Sequence, residues 1–127
     1  MALNYSDAFV VFASVKIAKL TSFYTEILGQ APKKYIPNIY TEFQLPGVKL
    51  GIFKPKSDHE LEFSNSNHSK MSLCLEVENL ENAIAYLEKL DCTIAQPITI
   101  ASHGREIYAF DPDGNRIILH EQIISNN

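Results

Sequence analysis

The chain has 127 residues, 46% of them hydrophobic, which is enough to bury the core of one domain without disulfide or metal cross-links. Its formal net charge of −4 argues against a nucleic-acid partner, because such a partner calls for a basic surface that replaces phosphate counterions. Two cysteines, Cys74 and Cys92, give no disulfide framework and no metal-ligand spacing, and no stretch approaches the roughly 18 apolar residues that span a bilayer. We therefore expect a cytoplasmic location, no secretion signal in residues 1–7 and no membrane partner.

The first half predicts a strand, a helix and a hairpin, in that order. Residues 8–13 are a short run of β-branched and aromatic side chains, typical of a strand buried on both faces. From about Val15 to Leu28 apolar side chains recur at helical spacing, and Gly29 follows where a left-handed C-cap residue is expected. Residues 35–44 and 48–54 then predict the two arms of a hairpin around a Pro-Gly turn.

The second half begins in the same way after a polar stretch at about residues 57–70, which predicts a loop. Another short strand starts at Met71. Asn79 can cap a helix, because the apolar side chains that follow it fall on one helical face; these are Leu80, Ala83, Ile84, Leu87 and Leu90.

Further strands complete the second half. Short strands are predicted at residues 93–95 and 97–100. Residues 108–121 then form two extended apolar runs around the turn Pro112-Asp113-Gly114. Proline presets φ at the first corner and Asp-Gly supplies the positive φ that a tight reversal needs, so this stretch predicts a second hairpin.

The two halves share the order β-α-β-β-β. Adding 63 to residue numbers of the first strand and helix aligns them with the second half, as in Phe9 with Ser72 and Ile17 with Leu80. Adding 67 aligns the hairpins, since Gly47 then corresponds to Gly114 and Leu50 to Ile117. Registration of this kind indicates an internal duplication.

Three segments carry a family resemblance: Phe-Tyr-Thr-Glu-Ile-Leu-Gly at residues 23–29, Leu-Glu-Val-Glu-Asn-Leu at 75–80, and Phe-Asp-Pro-Asp-Gly-Asn-Arg-Ile at 110–117. With these segments in this order, the chain resembles the vicinal oxygen chelate superfamily, also called the glyoxalase/bleomycin-resistance/dioxygenase family.

The resemblance implies an α+β fold in one domain, residues 1–127. Two βαβββ modules would cover about residues 7–56 and 71–123, joined by the loop at about 57–70. Their curled mixed sheets would surround a shared cavity, and the protein would form a homodimer.

The resemblance also implies where metal ligands would lie in relatives that use a divalent ion. One ligand comes from the first strand of each module and another from the strand after each hairpin. In this sequence these places fall on Phe9, Ser72, Gly51 and Ile118. Phenylalanine, glycine and isoleucine have no side-chain donor, and a neutral serine hydroxyl is a poor one, so we expect neither a metal nor another cofactor.

Further candidate contacts come from residues that share a strand face with those positions. His120 lies on the Ile118 face by the two-residue period and would contact a ligand at the cavity rim, or else be a partly buried, hydrogen-bonded histidine. Glu76 lies on the Ser72 face, where it would either place one acid in an apolar cavity or face solvent.

Three other side chains complete the candidate set. Arg105 would be a natural clamp for a carboxylate or phosphate, although surface exposure explains it equally well. The aromatic residues of the strands, Phe53 and Tyr108 among them, are candidates for the cavity wall.

Two hypotheses for function remain open. The first is a metal-free binding protein of the bleomycin-resistance type, without catalytic residues, whose apolar cavity takes up a small aromatic or amphipathic molecule. Its expected contacts are Phe9, Gly51, Phe53, Ser72, Glu76, Arg105, Tyr108, Ile118 and His120.

The alternative is a metal-dependent lyase or extradiol-type dioxygenase of the same superfamily. It would hold one divalent ion through donors such as His68, His120, Glu42 or Glu121. No nucleophile elbow, phosphate loop or Cys-His pairing is recognisable in the sequence.

Overall fold

The computed structural model describes residue 4 and residues 6–57, 71–101 and 104–122. The chain divides into two compact units, Met1–Asn65 and Ser66–Asn127. Each contains one helix and one four-stranded sheet, in the predicted order β-α-β-β-β. Neither described helix has the length and apolar character that a membrane crossing requires.

The first module forms a mixed sheet with strand order β1-β4-β3-β2. Strand β1 runs parallel to β4, and the other neighbours are antiparallel. The elements are β1 (Phe9–Ala13), α1 (Ile17–Leu28), β2 (Lys34–Ile36), β3 (Tyr40–Leu45) and β4 (Val48–Phe53).

The second module forms an equivalent sheet with order β5-β8-β7-β6, in which β5 runs parallel to β8. Its elements are β5 (Leu73–Glu76), α2 (Leu80–Lys89), β6 (Thr93–Ala101), β7 (Gly104–Phe110) and β8 (Arg116–Gln122). The strand registers agree with the sequence offsets. Val10 pairs with Leu50 in the first sheet. The offsets of 63 and 67 convert these two positions to Leu73 and Ile117, which pair in the second sheet.

One face of each sheet forms the core with the helix of its own module. In the first module, the Thr21 hydroxyl on α1 lies 2.8 Å from the Thr41 hydroxyl on β3, and the Tyr24 ring lies 6.5 Å from that of Phe43. In the second, the backbone N–H of Leu80 at the start of α2 donates to the Glu121 carboxylate on β8. Alternate strand residues on this side are buried, including Leu50, Ile52, Ile107 and Ile117.

The predicted caps and turns are confirmed. Gly29 ends α1 with φ of 64°, and the Asn79 side chain accepts a hydrogen bond from the Asn82 N–H at the start of α2. The closing hairpin turns at Gly114, where φ is 83°. The Asp111 carboxylate stabilises that turn by accepting from the backbone N–H groups of Asp113 and Asn115.

The expectation that residues 8–13 form a strand buried on both faces is wrong. Strand β1 lies at a sheet edge and only one of its faces is covered by α1. On the other face the side chains of Phe9 and Val11 are 45% and 49% exposed. An unbroken apolar run therefore does not show that both faces of a strand are buried, because the face that does not contact the core can also carry apolar side chains.

Two strand boundaries also differ from those expected. Residues 35–44 are not one hairpin arm, because Pro37 and Asn38, the latter with φ of 63°, separate β2 from β3. Residues 93–95 and 97–100 instead belong to one strand, β6, whose pairing with β7 is irregular between Ala95 and Thr99.

Candidate functional site

The face of each sheet that does not pack on its helix carries most of the predicted site residues. On the first sheet this helix-free face includes Phe9, Val11, Tyr40, Glu42, Lys49, Gly51 and Phe53. On the second it includes Cys74, Glu76, Glu106, Tyr108, Arg116, Ile118 and His120, with Ser72 just before β5. These two sets are called the first and second helix-free faces below.

A buried carboxylate lies on the first helix-free face. Glu42 is 3% exposed, and its Oε1 accepts a hydrogen bond of 2.8 Å from the Tyr40 hydroxyl. Burial and the neighbouring carboxylate raise the pKa of Tyr40 to about 12, so the phenol stays protonated and remains a donor near neutral pH.

Lys49 lies between two acids on this face. Its Nζ is 2.6 Å from Asp7 Oδ2 and 3.9 Å from Glu42 Oε2. The Asp7 ion pair lowers the pKa of Asp7 and raises that of Lys49. The same ammonium lies 5.3 Å from the centre of the Phe9 ring, within the range of a cation–π contact.

Gly51 occupies the place that the resemblance assigns to a metal-binding glutamate. Its cross-strand partner is Glu42, and a Cβ added at Gly51 would lie 3.0 Å from the Tyr40 hydroxyl oxygen. The Tyr40 ring therefore uses the space that a side chain at position 51 would need. A carboxylate is present here, but it comes from the neighbouring strand.

A histidine–glutamate pair lies on the second helix-free face. Nδ1 of His120 is hydrogen-bonded to Oε1 of Glu76. Glu106 is the cross-strand partner of His120 on the other side. Burial and the charges of Glu76 and Glu106 raise the pKa of Cys74.

Arg116 provides a cation at the other end of the second face. Its Nε donates to the Ser72 hydroxyl at 2.5 Å, and its guanidinium lies 5.5 Å from the centre of the Tyr108 ring. This end of the face therefore holds the Arg116 charge and the Tyr108 ring, with Ser72 and Ile118 beside them. The His120–Glu76 pair lies further along the strands.

Arg105 lies apart from these residues, on the helix-facing side of β7. Its guanidinium donates to both oxygens of Glu81 at 2.6 and 2.7 Å, and to Glu121 at 2.8 and 3.0 Å. Glu121 in turn accepts from the Leu80 N–H at 2.8 Å. Arg105 thus joins the hairpin to the start of α2. Its guanidinium lowers the pKa of Glu81 to about 2, and the Leu80 N–H together with the guanidinium lowers the pKa of Glu121.

A family model described as the Glyoxalase/Bleomycin resistance protein/Dioxygenase superfamily matches residues 8–119. The chain belongs to this superfamily. No curated protein sequence matches it.

Solved structures with this superfamily fold resemble the chain over most of its length. Protein ATC0852 from Agrobacterium tumefaciens is 23% identical, with a TM-score of 0.78 over 95% of this chain and 100% of that one. A glyoxalase/bleomycin resistance protein/dioxygenase family enzyme from Burkholderia phytofirmans is 16% identical, with a TM-score of 0.78 over 93% and 100%. The fosfomycin resistance protein FosX from Listeria monocytogenes is 16% identical, with a TM-score of 0.69 over 98% and 97%. At these identities the likeness concerns the fold.

The residues present do not fit the divalent ion that the superfamily resemblance implies. Phe9 and Gly51 lie on the first helix-free face and Ser72 and Ile118 on the second, none with a strong donor. Among the described residues, no three His, Cys, Asp or Glu side chains are grouped so that they could hold a metal.

The alternative donors are engaged elsewhere or lie outside the described residues. Glu42 is hydrogen-bonded to Tyr40, His120 to Glu76, and Glu121 to Arg105 and the start of α2. His68 lies outside the described residues.

Sequence reasoning did not identify the Tyr40–Glu42 pair as a possible site. The available signal was the alternation on β3, in which Tyr40 and Glu42 share one face while Thr41 and Phe43 share the other. A separate cavity of about 280 Å³ lies in the first module, away from all the predicted contacts; it is lined by Thr21, Ser22, Thr25, Glu26, Pro32 and Tyr35.

Proposed function

We propose that the chain is a metal-free member of the superfamily that binds a small aromatic or amphipathic molecule on its helix-free sheet faces. The observation that carries this proposal is the replacement of all four implied ligand positions by Phe9, Gly51, Ser72 and Ile118, together with the apolar and aromatic side chains that remain exposed around them.

Exposed apolar area supports the ligand class. Phe9 and Val11 on the first face and Tyr108 on the second are 41–49% exposed. Exposed apolar side chains that lie close together on one surface often mark a binding site. Each face also holds one cation beside an aromatic ring, Lys49 near Phe9 and Arg116 near Tyr108. A ligand with an aromatic body and one polar group matches that combination.

The proposed contacts are those predicted residues that lie on the helix-free faces. Arg105 is left out, because its guanidinium is already bound by Glu81 and Glu121 on the other side of the sheet. Arg116 takes its place as the cation of the second face. The remaining contacts are the predicted residues Phe9, Gly51, Phe53, Ser72, Glu76, Tyr108, Ile118 and His120, together with Val11 on the first face.

A matched pair of valines tests the proposal. Val11 lies on the first helix-free face and Val15 lies outside the strands, and their side chains are 49% and 53% exposed, so Val11→Glu and Val15→Glu should both fold. Binding of 2-phenylethanol in the presence of EDTA would be followed by NMR titration. We expect Val11→Glu to weaken binding at least about tenfold, because a carboxylate in an apolar contact must be desolvated, whereas Val15→Glu should match the wild type.

Equal affinities of the two variants, or no binding of the probe by the wild type, would contradict this assignment. The enzyme alternative, a lyase or dioxygenase dependent on a metal, predicts instead that EDTA abolishes binding.

We further propose that the protein acts as a homodimer in the cytoplasm. The exposed edge strand β2, with Tyr35 and Ile36 accessible, supports self-association, because unpaired strand edges tend to be covered. Two free thiols, Cys74 and Cys92, suit a reducing compartment. Light scattering should give a mass near twice 14.3 kDa, and a monomer at micromolar concentration would contradict the dimer.

A further inference from the structure

The Glu42 carboxylate on the first helix-free face is not among the contacts proposed above, and it has the features of a ligand-binding group. Its side chain is only 4% exposed. A carboxylate at that depth is stable only when both of its oxygens are compensated by hydrogen bonds or charges. Tyr40 compensates Oε1 through the 2.8 Å hydrogen bond from its hydroxyl.

The second oxygen, Oε2, lacks an equivalent donor. The nearest cation, Lys49 Nζ, is 3.9 Å away, beyond hydrogen-bond distance, because it is held 2.6 Å from Asp7. In the described part of the chain no other group donates to Oε2. Since every fully buried side-chain nitrogen or oxygen atom of the described residues has a hydrogen-bond partner, Oε2 keeps some contact with solvent.

The local charge favours a cation. Glu42 and Asp7 share the single ammonium of Lys49. Lys34 is the cross-strand neighbour of Glu42 on β2, but it is exposed and makes no ion pair with Glu42, so water screens its charge. The cluster therefore carries two carboxylates, the buried Glu42 and the exposed Asp7, and one ammonium that lies closer to Asp7.

The strand register places an apolar wall at a suitable distance from Oε2. Val11, Gly51 and Glu42 are in line across β1, β4 and β3. Neighbouring strands are about 4.8 Å apart, so the backbones of Val11 and Glu42 are roughly 10 Å apart, and the Tyr40 ring lies over Gly51 between them. Phe9 lies one step along from Val11 on the same face, and its ring already accepts an ammonium contact from Lys49.

We propose that Glu42 and Tyr40 form an amine-binding subsite, in which Glu42 Oε2 accepts a hydrogen bond from the ammonium group of a small aromatic amine whose ring packs against Phe9 and Val11. This inference rests on the proposed function and names the polar group of its ligand.

Three probes of one shape and different charge test the subsite. The dissociation constants of 2-phenylethylamine, 2-phenylethanol and phenylacetate would be measured by NMR titration of the full chain at pH 7 and low salt. The alcohol can donate a hydrogen bond to the Glu42 carboxylate as well, but the ammonium adds charge–charge attraction at a buried site, so the amine should bind about tenfold more tightly than the alcohol. Phenylacetate should bind most weakly, because its charge meets Glu42 and Asp7.

Glu42→Gln removes the charge and keeps the shape. It should lower the affinity for the amine about tenfold and leave the alcohol within about twofold. Glu88→Gln, at an exposed position of α2, is the matched control and should change neither affinity. Lys49→Met should act in the opposite direction and raise the affinity for the amine several-fold, because the ligand's ammonium then replaces that of the lysine.

Equal affinities of the wild type for amine and alcohol, or an equal loss of both in Glu42→Gln, would overturn the subsite while leaving the proposed function standing. If no probe binds, both fail. Should Glu42→Gln lose the dispersed amide spectrum of a folded protein, Lys49→Met decides, and an unchanged or weaker affinity for the amine would overturn the inference.

Discussion

Corresponding positions of the two sheets carry different chemistry on their helix-free faces, although the strands pair in the same register. Gly51 corresponds to Ile118 and Phe53 to His120, each by 67 residues. The Tyr-x-Glu of β3 at residues 40–42 corresponds to the Glu-x-Tyr of β7 at residues 106–108, offset by 66. The helix-facing sides, in contrast, are mostly apolar in both modules, with Thr41 in the first and the Arg105–Glu121 pair in the second as exceptions.

The difference shows which side of each sheet specifies the fold. The buried face must fill space against a helix, so its residues stay apolar and of similar size. The helix-free face does not contribute to that core, and its residues can change charge and shape without loss of the sheet. A cation is nevertheless present at the equivalent place in both, Lys49 and Arg116, and in both it lies beside an aromatic ring.

The largest expected effects test the equivalence of the two cores. Leu50 and Ile117 are equivalent and fully buried, so Leu50→Ala and Ile117→Ala should each lower the free energy of unfolding by about 2–5 kcal/mol in urea titrations. Ile100→Ala, at a position that is 77% exposed, is the control and should have little effect. A decrease of less than about 1 kcal/mol in the free energy of unfolding for either core variant would show that the two positions are not equivalent.

A smaller effect on the free energy of unfolding is expected from alanine substitutions at two glycines. Gly104 in the second module lies close to the backbone of β8, whereas Gly29 in the first module is an ordinary helix cap. At Gly104, with φ of 152°, a Cβ would lie 2.2 Å from the Glu121 carbonyl oxygen, whereas at Gly29, with φ of 64°, it would meet nothing within 4 Å. Gly29→Ala should lower the free energy of unfolding by about 1 kcal/mol. Gly104→Ala should lower it by about 1–3 kcal/mol more, because the backbone at Glu121 must also move to make room for the Cβ. Equal urea midpoints for the two variants would show that β8 does not constrain Gly104.

Much of the fold could be predicted from the sequence, because helical and strand periodicity follow from the need to bury one face. Periodicity also gave the shared face of Ile118 and His120 and that of Ser72 and Glu76, and the structure pairs these two strands. It could not show that Phe9 and Val11 would remain exposed, since that depends on which face a helix covers. Nor could it identify the partner of Arg105, because Glu81 is 24 residues away and meets it only through the position of α2.

The smallest expected effect concerns the ion cluster of the second module. Arg105 holds the folded-state pKa of Glu81 at about 2, and the Leu80 N–H together with Arg105 holds that of Glu121 below its ordinary value near 4.5. Their stabilisation is therefore complete above about pH 4.5 and is lost as the pH falls toward 2. The difference in free energy of unfolding between wild type and Arg105→Met should shrink over that range, while Lys54→Met, at an exposed position of the first module, should show no such trend. A difference independent of pH would contradict the pairing.

The claim that the helix-free faces bind a small molecule without a metal is tested most directly by measuring the metal content of protein purified without chelator, together with 2-phenylethanol binding before and after EDTA. Phe9, Gly51, Ser72 and Ile118 predict a metal content far below one equivalent and an affinity that EDTA does not change. One equivalent of nickel, zinc, iron or manganese, with binding lost after EDTA, would contradict the account.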